Sequence, residues 1–211
     1  MAVTIDARRE SLERVTEAVR RVASAGGVII FPTDTVYGIG CDPARESSIA
    51  RIYAAKGRPA HKPLSLHLAT VQELLEYAAD NPSARRAAEA LLPGPLTIIV
   101  RRPPFVSPRV TADGPTLGLR VPDDTLCRAI LEASGPLAAT SANLSGAAPY
   151  TGGEQGHEQL PDADLIVEAG PTPRGVASTV IDLSGEQPVL IREGSLPRAQ
   201  VEAVLGSLRT P

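Results

Sequence analysis

The order of apolar and polar positions along the chain predicts helices and strands that intermix. Over 11–25, apolar residues including Leu12, Val15 and Val19 recur at the spacing of one helical face, and two glycines end the pattern. The apolar run 28–31 that follows has the length of a buried strand. Similar patterns predict further helices over 46–55, 71–79, 83–92, 123–133 and 198–208, and further strands over 64–68, 96–100, 116–121, 137–140, 165–167, 179–183 and 189–191. Because helices and strands do not alternate strictly, a mixed sheet is favoured over a purely parallel one.

Two of the predicted helices begin with capping signatures. Thr70 and Glu73 have the spacing of a capping box, in which the threonine side chain accepts from a backbone N–H of the first turn. Asp123 or Asp124 precedes the helix that ends near residue 133 and is a typical N-cap residue.

Composition places the chain among ordinary globular proteins. Of its 211 residues, 43% are hydrophobic and 21% are charged, and there is neither an internal repeat nor a linker that would divide the sequence. We therefore expect one domain over 1–211. No apolar run approaches the ~20 residues of a membrane span, and the N-terminus lacks the layout of a secretory signal. These features predict a soluble cytoplasmic protein without membrane contact.

Charge and cysteine content restrict the kinds of site that the chain can carry. The formal net charge is −3, so binding of long nucleic acid through bulk charge is disfavoured and any anion-binding surface must be local. Cys41 and Cys127 are the only cysteines, and their spacing argues against a zinc site or a disulfide framework. We expect both cysteines to be small buried apolar residues.

The two lysines mark a candidate anion-binding segment. Lys56 and Lys62 are the only lysines among 21 basic residues, and the sequence contains no acidic residue between Glu46 and Glu73. Lysine offers a compact ammonium that suits phosphate groups. The glycine and prolines between 57 and 63 indicate a stiff, exposed loop rather than a helix face. We therefore expect exposed lysines there, so that replacing Lys56 would lower turnover with little effect on stability.

Familiar nucleotide and hydrolase motifs do not occur. The sequence has no GxxxxGK[ST], no GxSxG and no HExxH, and the pair Gly38 and Gly40 lacks the third glycine of a dinucleotide-binding turn. The segment 145–156 is polar and rich in glycine, which is typical of a mobile flap.

Seven short segments together carry a family resemblance. They are FPTDTVYGIGCD at 31–42, KGRPAHKPLSLH at 56–67, LPGPLT at 92–97, GLRVP at 118–122, ATSANLSG at 139–146, STVID at 178–182 and IREG at 191–194. In this order they resemble the YrdC-like family of threonylcarbamoyl-AMP synthases over roughly 26–194. The resemblance implies a YrdC-like α/β fold, with a twisted mixed sheet flanked by helices around a large electropositive cavity, in the short, single-domain form.

The resemblance also implies a nucleotidyltransferase reaction. ATP, L-threonine and bicarbonate would give L-threonylcarbamoyladenylate and pyrophosphate, for the synthesis of threonylcarbamoyladenosine at position 37 of tRNA. A separate threonylcarbamoyl-transferase complex would take the product, and contact with tRNA itself would be weak or transient. Mg²⁺ is expected with ATP, although no pair of carboxylates specifies its ligands.

Matching the family residue by residue assigns a set of site residues. The catalytic set implied by the resemblance is Lys56, Arg58, Ser141 and Asn143. ATP would contact these four and also Lys62, Thr116, Pro149 and Arg192. Threonine would contact Thr35, His67, Arg120 and Ala139. Such a site suits phosphoryl transfer, which asks mainly for positioning and charge stabilisation, and an arginine fork offers a carboxylate two parallel hydrogen bonds.

Other interpretations of these residues remain open at this point. Arg120 is also typical of a surface strand residue, His67 of a structural histidine, and 140–143 of a strand-to-loop cap. At the level of function, one alternative is a YrdC-like module that binds RNA without catalysis, which the acidic charge and the 3% aromatic content disfavour. The other is a related enzyme that forms a carbamoyl-adenylate, as in hydrogenase-maturation relatives, whose acylphosphatase and zinc-finger segments are not in this sequence.

Overall fold

Ten strands join into one mixed sheet in the computed structural model, which describes residues 2–78, 80–153 and 160–211. The strands are β1 Val3–Asp6, β2 Ile29–Phe31, β3 Gly38–Cys41, β4 Ser65–His67, β5 Leu96–Arg101, β6 Thr116–Arg120, β7 Leu137–Ser141, β8 Leu165–Glu168, β9 Thr179–Asp182 and β10 Val189–Arg192. The helices are α1 Leu12–Ser24, α2 Glu46–Lys56, α3 Val71–Tyr77, α4 Pro82–Leu91, α5 Thr125–Ser134 and α6 Arg198–Leu205.

The order of strands across the sheet is β1-β8-β2-β3-β7-β4-β6-β5-β9-β10. Neighbouring strands run parallel in the pairs β1/β8, β2/β8, β4/β6 and β5/β9, and antiparallel in the other five. The predicted mixed α/β sheet is therefore confirmed.

The predicted helix starts have the expected side-chain contacts. At α3, Thr70 Oγ1 accepts from the backbone N–H of Glu73 at 3.1 Å, while Glu73 Oε2 accepts from the N–H of Ala69 at 3.0 Å. At α5, Asp124 rather than Asp123 is the cap, and its Oδ1 accepts from the N–H of Cys127 at 2.7 Å.

Two strands and one helix end differ from the sequence prediction. Strand β1 was not predicted because its residues are partly exposed, so no apolar run marks it. Strand β3 contains Gly38 and Gly40, and a Cβ on Gly38 would lie 2.9 Å from Phe31 Cζ, so glycine here permits a close approach of strand and ring. Helix α6 ends at Leu205 because Gly206 has φ 80°, three residues before the predicted end. The predicted end of α3 at Ala79 lies outside the described residues.

Helices cover the two faces of the sheet unequally. On one face, α2, α3, α4 and α6 pack over side chains such as Ile30, Leu66 and Ile98 in a continuous core. On the other face, α1 and α5 pack on β2, β7 and β8 around Phe31 and Leu165. Within the described ranges, no helix covers the part of this face formed by β4, β6, β5, β9 and β10.

Both cysteines are buried, as expected for small apolar residues. Among the described residues we find no helix with the length and apolarity that a membrane span requires.

Candidate active site

A cavity of about 310 Å³ occupies the open part of the sheet face. Side chains reach it from alternate positions of neighbouring strands, because successive residues of a strand point to opposite faces. The strand residues that line it include Ser65, His67, Thr97, Ile99, Thr116, Gly118, Arg120, Ala139, Ser141, Val180 and Arg192. Its floor is made of short side chains, and a Cβ on Gly118 would lie 2.6 Å from Ser65 Oγ. The sequence therefore forms a depression in the sheet itself.

A β-bulge brings Arg192 into this cavity. In the ladder between β9 and β10, Leu190 pairs with Ile181 and Arg192 pairs with Val180, so the register shifts by one residue between them. Leu190 packs in the core on the other face. In a regular strand Arg192 would share that face with Leu190, but the extra residue turns it toward the cavity.

Eight of the twelve predicted site residues line the cavity together. They are Arg58, Lys62, His67, Thr116, Arg120, Ala139, Ser141 and Arg192. Four do not line it: Thr35, Lys56, Asn143 and Pro149. Thr35 and Asn143 contact residues that do, and Pro149 is exposed in the loop after β7.

Cations line the cavity, and no carboxylate is among its described lining residues. Arg58, Lys62, Arg120 and Arg192 contribute four positive charges, and none of the described lining residues is Asp or Glu. Burial lowers the pKa of Arg58, and burial followed by the charge of Arg120 lowers the pKa of Arg192. Grouped cations that have lost part of their hydration favour the binding of an anion.

Arg120 is held by two buried residues beneath the cavity. Its Nη2 donates to Asp34 Oδ1 at 2.5 Å and to Thr35 Oγ1 at 2.8 Å. Asp34 is 1% exposed and Arg120 is 5% exposed, so this ion pair is shielded from water. Both Nη2 hydrogens are thereby used. The parallel fork expected for a substrate carboxylate is not available in this arrangement. Nη1 remains as a donor, while Nε is buried without a hydrogen-bond partner among the described residues.

His67 lies directly beside Arg120, since the two residues are register partners on β4 and β6. Its side chain is buried, and Nδ1 has no hydrogen-bond partner in the described part of the chain. Burial, and then the charge of Arg120, lower the pKa of His67 to about 3. The imidazole is therefore neutral near pH 7 and offers a polar atom to the cavity without adding charge.

This environment makes stability sensitive to acid through His67. The pKa falls from 6.5 to about 3 on folding, so below pH 6.5 the unfolded chain binds a proton that the folded chain rejects. The stabilisation present above pH 6.5 is lost as the pH falls. We expect the free energy of unfolding to drop by about 2 kcal/mol more for the wild type than for a His67→Gln variant between pH 7 and pH 5. Urea titrations at the two pH values measure this difference.

A His61→Gln variant, which removes an exposed imidazole, is the matched control and should keep the wild-type loss. Equal losses in the wild type and His67→Gln would contradict the assignment of this acid sensitivity to His67.

Lys56 requires a correction of the sequence prediction. It is the last residue of α2 rather than part of an exposed loop, and its side chain is 2% exposed. Its Nζ donates to the backbone carbonyls of Ser141 and Asn143, and its own carbonyl accepts from the N–H of Ser145 at 2.9 Å. Burial, and then the charge of Arg58, lower the pKa of Lys56 to about 8. In this structure Lys56 fixes the loop after β7 and is not among the residues that line the cavity.

The side chains of Ser141 and Asn143 complete this loop. Ser141 Oγ donates to Asn143 Oδ1 at 2.5 Å, while Asn143 Nδ2 donates to the carbonyls of Leu144 and Ala147 at 2.7 and 2.9 Å. The amide of Asn143 thus organises the backbone that follows it. Ser141 alone of the pair reaches the cavity.

The beginning of the predicted flap is anchored by a buried carboxylate. Tyr150 Oη donates to Glu168 Oε2 at 2.7 Å, and Tyr37 Oη donates to Glu168 Oε1 at 2.9 Å. Burial of the phenol is the main reason that the pKa of each tyrosine is raised. These contacts fix the chain up to Tyr150 against β8, and 154–156 of the predicted flap lie outside the described residues.

Sequence reasoning missed two contributors to the site. Asp34 lies within a segment that carried the resemblance, yet no local pattern showed that its carboxylate would meet Arg120. Ser178 lines the cavity, its Oγ lies 2.9 Å from Thr97 Oγ1, and its carbonyl accepts from Arg192 Nη2 at 2.8 Å. The only sequence signal for Asp34 and Ser178 was that they lie in the short motifs 31–42 and 178–182. The residues that they contact lie far away in sequence.

The lining residues do not fit a magnesium site. Mg²⁺ prefers carboxylate oxygens, and the nearby carboxylate of Asp34 is committed to Arg120. No cluster of three or more His, Cys, Asp or Glu side chains suited to a metal occurs in the ranges that the structure describes.

A second groove, of about 710 Å³, lies away from all the predicted site residues. It is lined by the carboxylates Glu76, Asp80 and Glu186 as well as by Arg101 and Arg102. Its mixed charge suits a polyanion less well than the cavity on the sheet face does.

Comparisons with known proteins agree with this fold. The Sua5_yciO_yrdC family model, described as "Telomere recombination", matches residues 21–194. A threonylcarbamoyl-AMP synthase of Bacillus subtilis (strain 168) is 41% identical over 186 residues, which are 86% of this chain and 54% of the relative.

Two solved structures superpose closely on the chain. The structure of P. abyssi Sua5 complexed with L-threonine has a TM-score of 0.89 at 34% identity and covers 100% of this chain and 62% of its own. The structure of E. coli YciO has a TM-score of 0.82 at 28% identity and covers 95% of this chain and 100% of its own. The chain thus spans between half and two thirds of the length of the B. subtilis and P. abyssi relatives. Because the family match covers most of the residues and the ten-stranded sheet superposes on solved relatives, the chain belongs to the Sua5/YciO/YrdC family.

Proposed function

We propose that this chain forms L-threonylcarbamoyladenylate and pyrophosphate from ATP, L-threonine and bicarbonate. The observation that carries the proposal is the cavity with four cations and no carboxylate among its described lining residues. Relatives named threonylcarbamoyl-AMP synthase and a Sua5 structure that contains L-threonine support the choice of substrates. We extend the proposal to the domain organisation, in which the sheet and its helices act as one catalytic domain.

The proposed reaction has two bond-forming steps. The α-amino nitrogen of threonine attacks bicarbonate carbon, giving a carbamate with loss of water. A carbamate oxygen then attacks the α-phosphorus of ATP, and the bond to the β-phosphate oxygen breaks to release pyrophosphate. Both partners of the second step are anions, so the main obstacle that the protein must offset is their repulsion.

The cavity residues supply the positive charge for this encounter. Arg58, Lys62 and Arg192 are proposed to contact the phosphates, with Thr116 and Ser141 as polar neighbours. At an effective dielectric constant near 20, a unit charge pair at 4 Å is worth about 4 kcal/mol before desolvation. Several such pairs offset much of the repulsion between carbamate and triphosphate.

The second half of the site is proposed to hold threonine. Arg120 lines the cavity with Nη1 still available and would bind the substrate carboxylate. The neutral imidazole of His67 lies beside it and would contact the amino end without repelling it. Ala139 leaves room on the floor of the cavity, and Thr35 acts through its hydrogen bond to Arg120.

The proposal extends to partners and location. Lys56 and Asn143 shape the loop against which ATP would lie, and Pro149 belongs to the same loop. The product, a reactive mixed anhydride, would pass to a tRNA threonylcarbamoyl-transferase complex, with weak or transient tRNA contact by this chain. Mg²⁺ would arrive with ATP and not through the described lining residues. We propose the cytoplasm as the location because the product would be used in tRNA modification.

The test is release of pyrophosphate from ATP with each substrate omitted in turn. We expect release that requires both L-threonine and bicarbonate, together with threonylcarbamoyl-adenylate identified by mass spectrometry. An Arg192→Gln variant should reduce release at least tenfold because a phosphate contact is lost. Folded protein that yields no adenylate with all three substrates, yet binds tRNA with a steep salt dependence, would instead indicate an RNA-binding module.

A further inference from the structure

Asp34 is a buried carboxylate that the proposed reaction does not use directly. It lies in the turn between β2 and β3, is 1% exposed and is not among the residues that line the cavity. A carboxylate taken out of water is unfavourable unless a cation and hydrogen bonds compensate it. The compensating cation is Arg120, 86 residues away in sequence, whose Nη2 donates to Asp34 Oδ1 at 2.5 Å.

A chain of hydroxyl groups fixes the second contact of Arg120. Thr33 Oγ1 donates its proton to the carbonyl of Val36 at 2.7 Å. In the 3.1 Å contact between Thr33 Oγ1 and Thr35 Oγ1, Thr35 must therefore be the donor. The oxygen of Thr35 is then left to accept from Arg120 Nη2 at 2.8 Å. Each Nη2 hydrogen has one acceptor, so the plane of the guanidinium is set from below the cavity.

The charges in this cluster remain unbalanced. Asp34 also faces a second guanidinium, since its Oδ2 lies 3.7 Å from Arg174 Nε, and that oxygen has no hydrogen bond in the described part of the chain. One carboxylate is thus shared between a buried and a half-exposed arginine. Arg120 Nε is likewise buried without a hydrogen-bond partner among the described residues. The cluster carries a net positive charge that only a further anion would neutralise.

We infer that Asp34 is a positioning residue for the amino-acid substrate. By holding Nη2, it fixes the plane of the guanidinium and directs Nη1 toward one location in the cavity, where the carboxylate of an α-amino acid binds in one pose. This inference rests on the proposed function for the identity of the amino acid. The pose determines whether the carbamate reaches the α-phosphorus, and a displacement of about 1 Å at such a position costs roughly 100-fold in rate.

Replacing Asp34 with asparagine tests this role. Asp34→Asn keeps the shape and an acceptor oxygen but removes the charge that holds the guanidinium. We expect calorimetry to show roughly tenfold weaker binding of L-threonine alone, with unchanged binding of ATP. We also expect the ratio of kcat/KM for L-threonine over L-serine to fall. That ratio does not depend on the fraction of folded enzyme, so partial unfolding leaves it unchanged.

The matched control is Asp123→Asn, which removes an exposed carboxylate 3.4 Å from Arg128 and should leave both measurements at wild-type values. If Asp34→Asn does not fold, Thr35→Val removes the other Nη2 acceptor with little change of shape and should shift both measurements in the same direction. Unchanged threonine affinity and an unchanged selectivity ratio in a folded Asp34→Asn or Thr35→Val variant would overturn the inference.

The calorimetric measurement separates this inference from the proposed function. Wild-type protein that binds L-threonine in a way that depends on Asp34, but releases no pyrophosphate, would support the role of Asp34 and contradict the synthase activity. Wild-type protein that is active while Asp34→Asn retains its threonine affinity and selectivity would support the synthase activity and contradict the role of Asp34.

Discussion

Replacing Lys56 with methionine should lower turnover by roughly 100-fold and reduce the free energy of unfolding by about 1–3 kcal/mol. Methionine fills a similar volume but leaves the carbonyls of Ser141 and Asn143 without the ammonium that both contact. Hydrogen bonds to a charged group contribute more than neutral ones, and buried acceptors left unpaired cost their full desolvation. The loop that follows Ser141 then loses its fixed position.

Lys62 provides the contrast that makes this prediction specific. It is exposed and lines the cavity, so Lys62→Met should weaken ATP binding with no measurable change in stability. Steady-state kinetics and urea denaturation of both variants separate the two roles. A Lys56→Met variant as stable as the wild type would contradict a stabilising role for the buried contacts of Lys56. It would instead agree with the exposed lysine expected from the sequence.

Replacing Arg120 with lysine should weaken L-threonine binding by roughly 100-fold while ATP binding stays near its wild-type value. Lysine retains the charge that Asp34 requires, so the fold should persist. A single ammonium does not contact Asp34 and Thr35 and also present a separate nitrogen to the cavity, as the guanidinium does with Nη1. The substrate carboxylate therefore loses its contact.

Arg120→Ala is less informative than Arg120→Lys because it should also destabilise the fold. It leaves Asp34 charged and buried without its main partner, an arrangement that typically costs about 3–5 kcal/mol of stability. We expect a large fall in melting temperature for Arg120→Ala and a small one for Arg120→Lys. Calorimetry with L-threonine and with ATP, on protein shown to be folded, completes the comparison. Wild-type threonine affinity in Arg120→Lys would rule out a direct contact between Arg120 and the carboxylate.

The secondary structure was predictable from the sequence wherever one face of an element is buried. The helix that begins near Leu12 and the strand that ends at Phe31 follow directly from their apolar spacing, and the capping residue Asp124 marks a true helix start. Strand β3 was missed because its glycines are selected by the nearby ring of Phe31, a contact between different strands that leaves no periodic signal.

The residues of the candidate site were predictable from short motifs, but their individual roles were not. The sequence indicated that lysine and arginine near 56–62 belong with Ser141, and the structure brings Arg58 and Lys62 to the same cavity as Ser141. It did not show that Lys56 is buried and contacts the backbone carbonyls of Ser141 and Asn143. Lys56 is the last residue of α2, and its surroundings are set by the loop at 141–145, which packs against the end of this helix. That loop lies about 85 residues further along the chain, so no local pattern indicates the contact.

What the sequence alone determined was most of the helices and strands, the mixed character of the sheet and the family, because these depend on local periodicity and on residues close together in the chain. Tertiary structure decided the register shift that turns Arg192 into the cavity, and the meeting of Asp34 with Arg120. Both depend on the pairing of strands distant in sequence, and a shift of one residue in such a pairing moves a side chain from the core to the cavity.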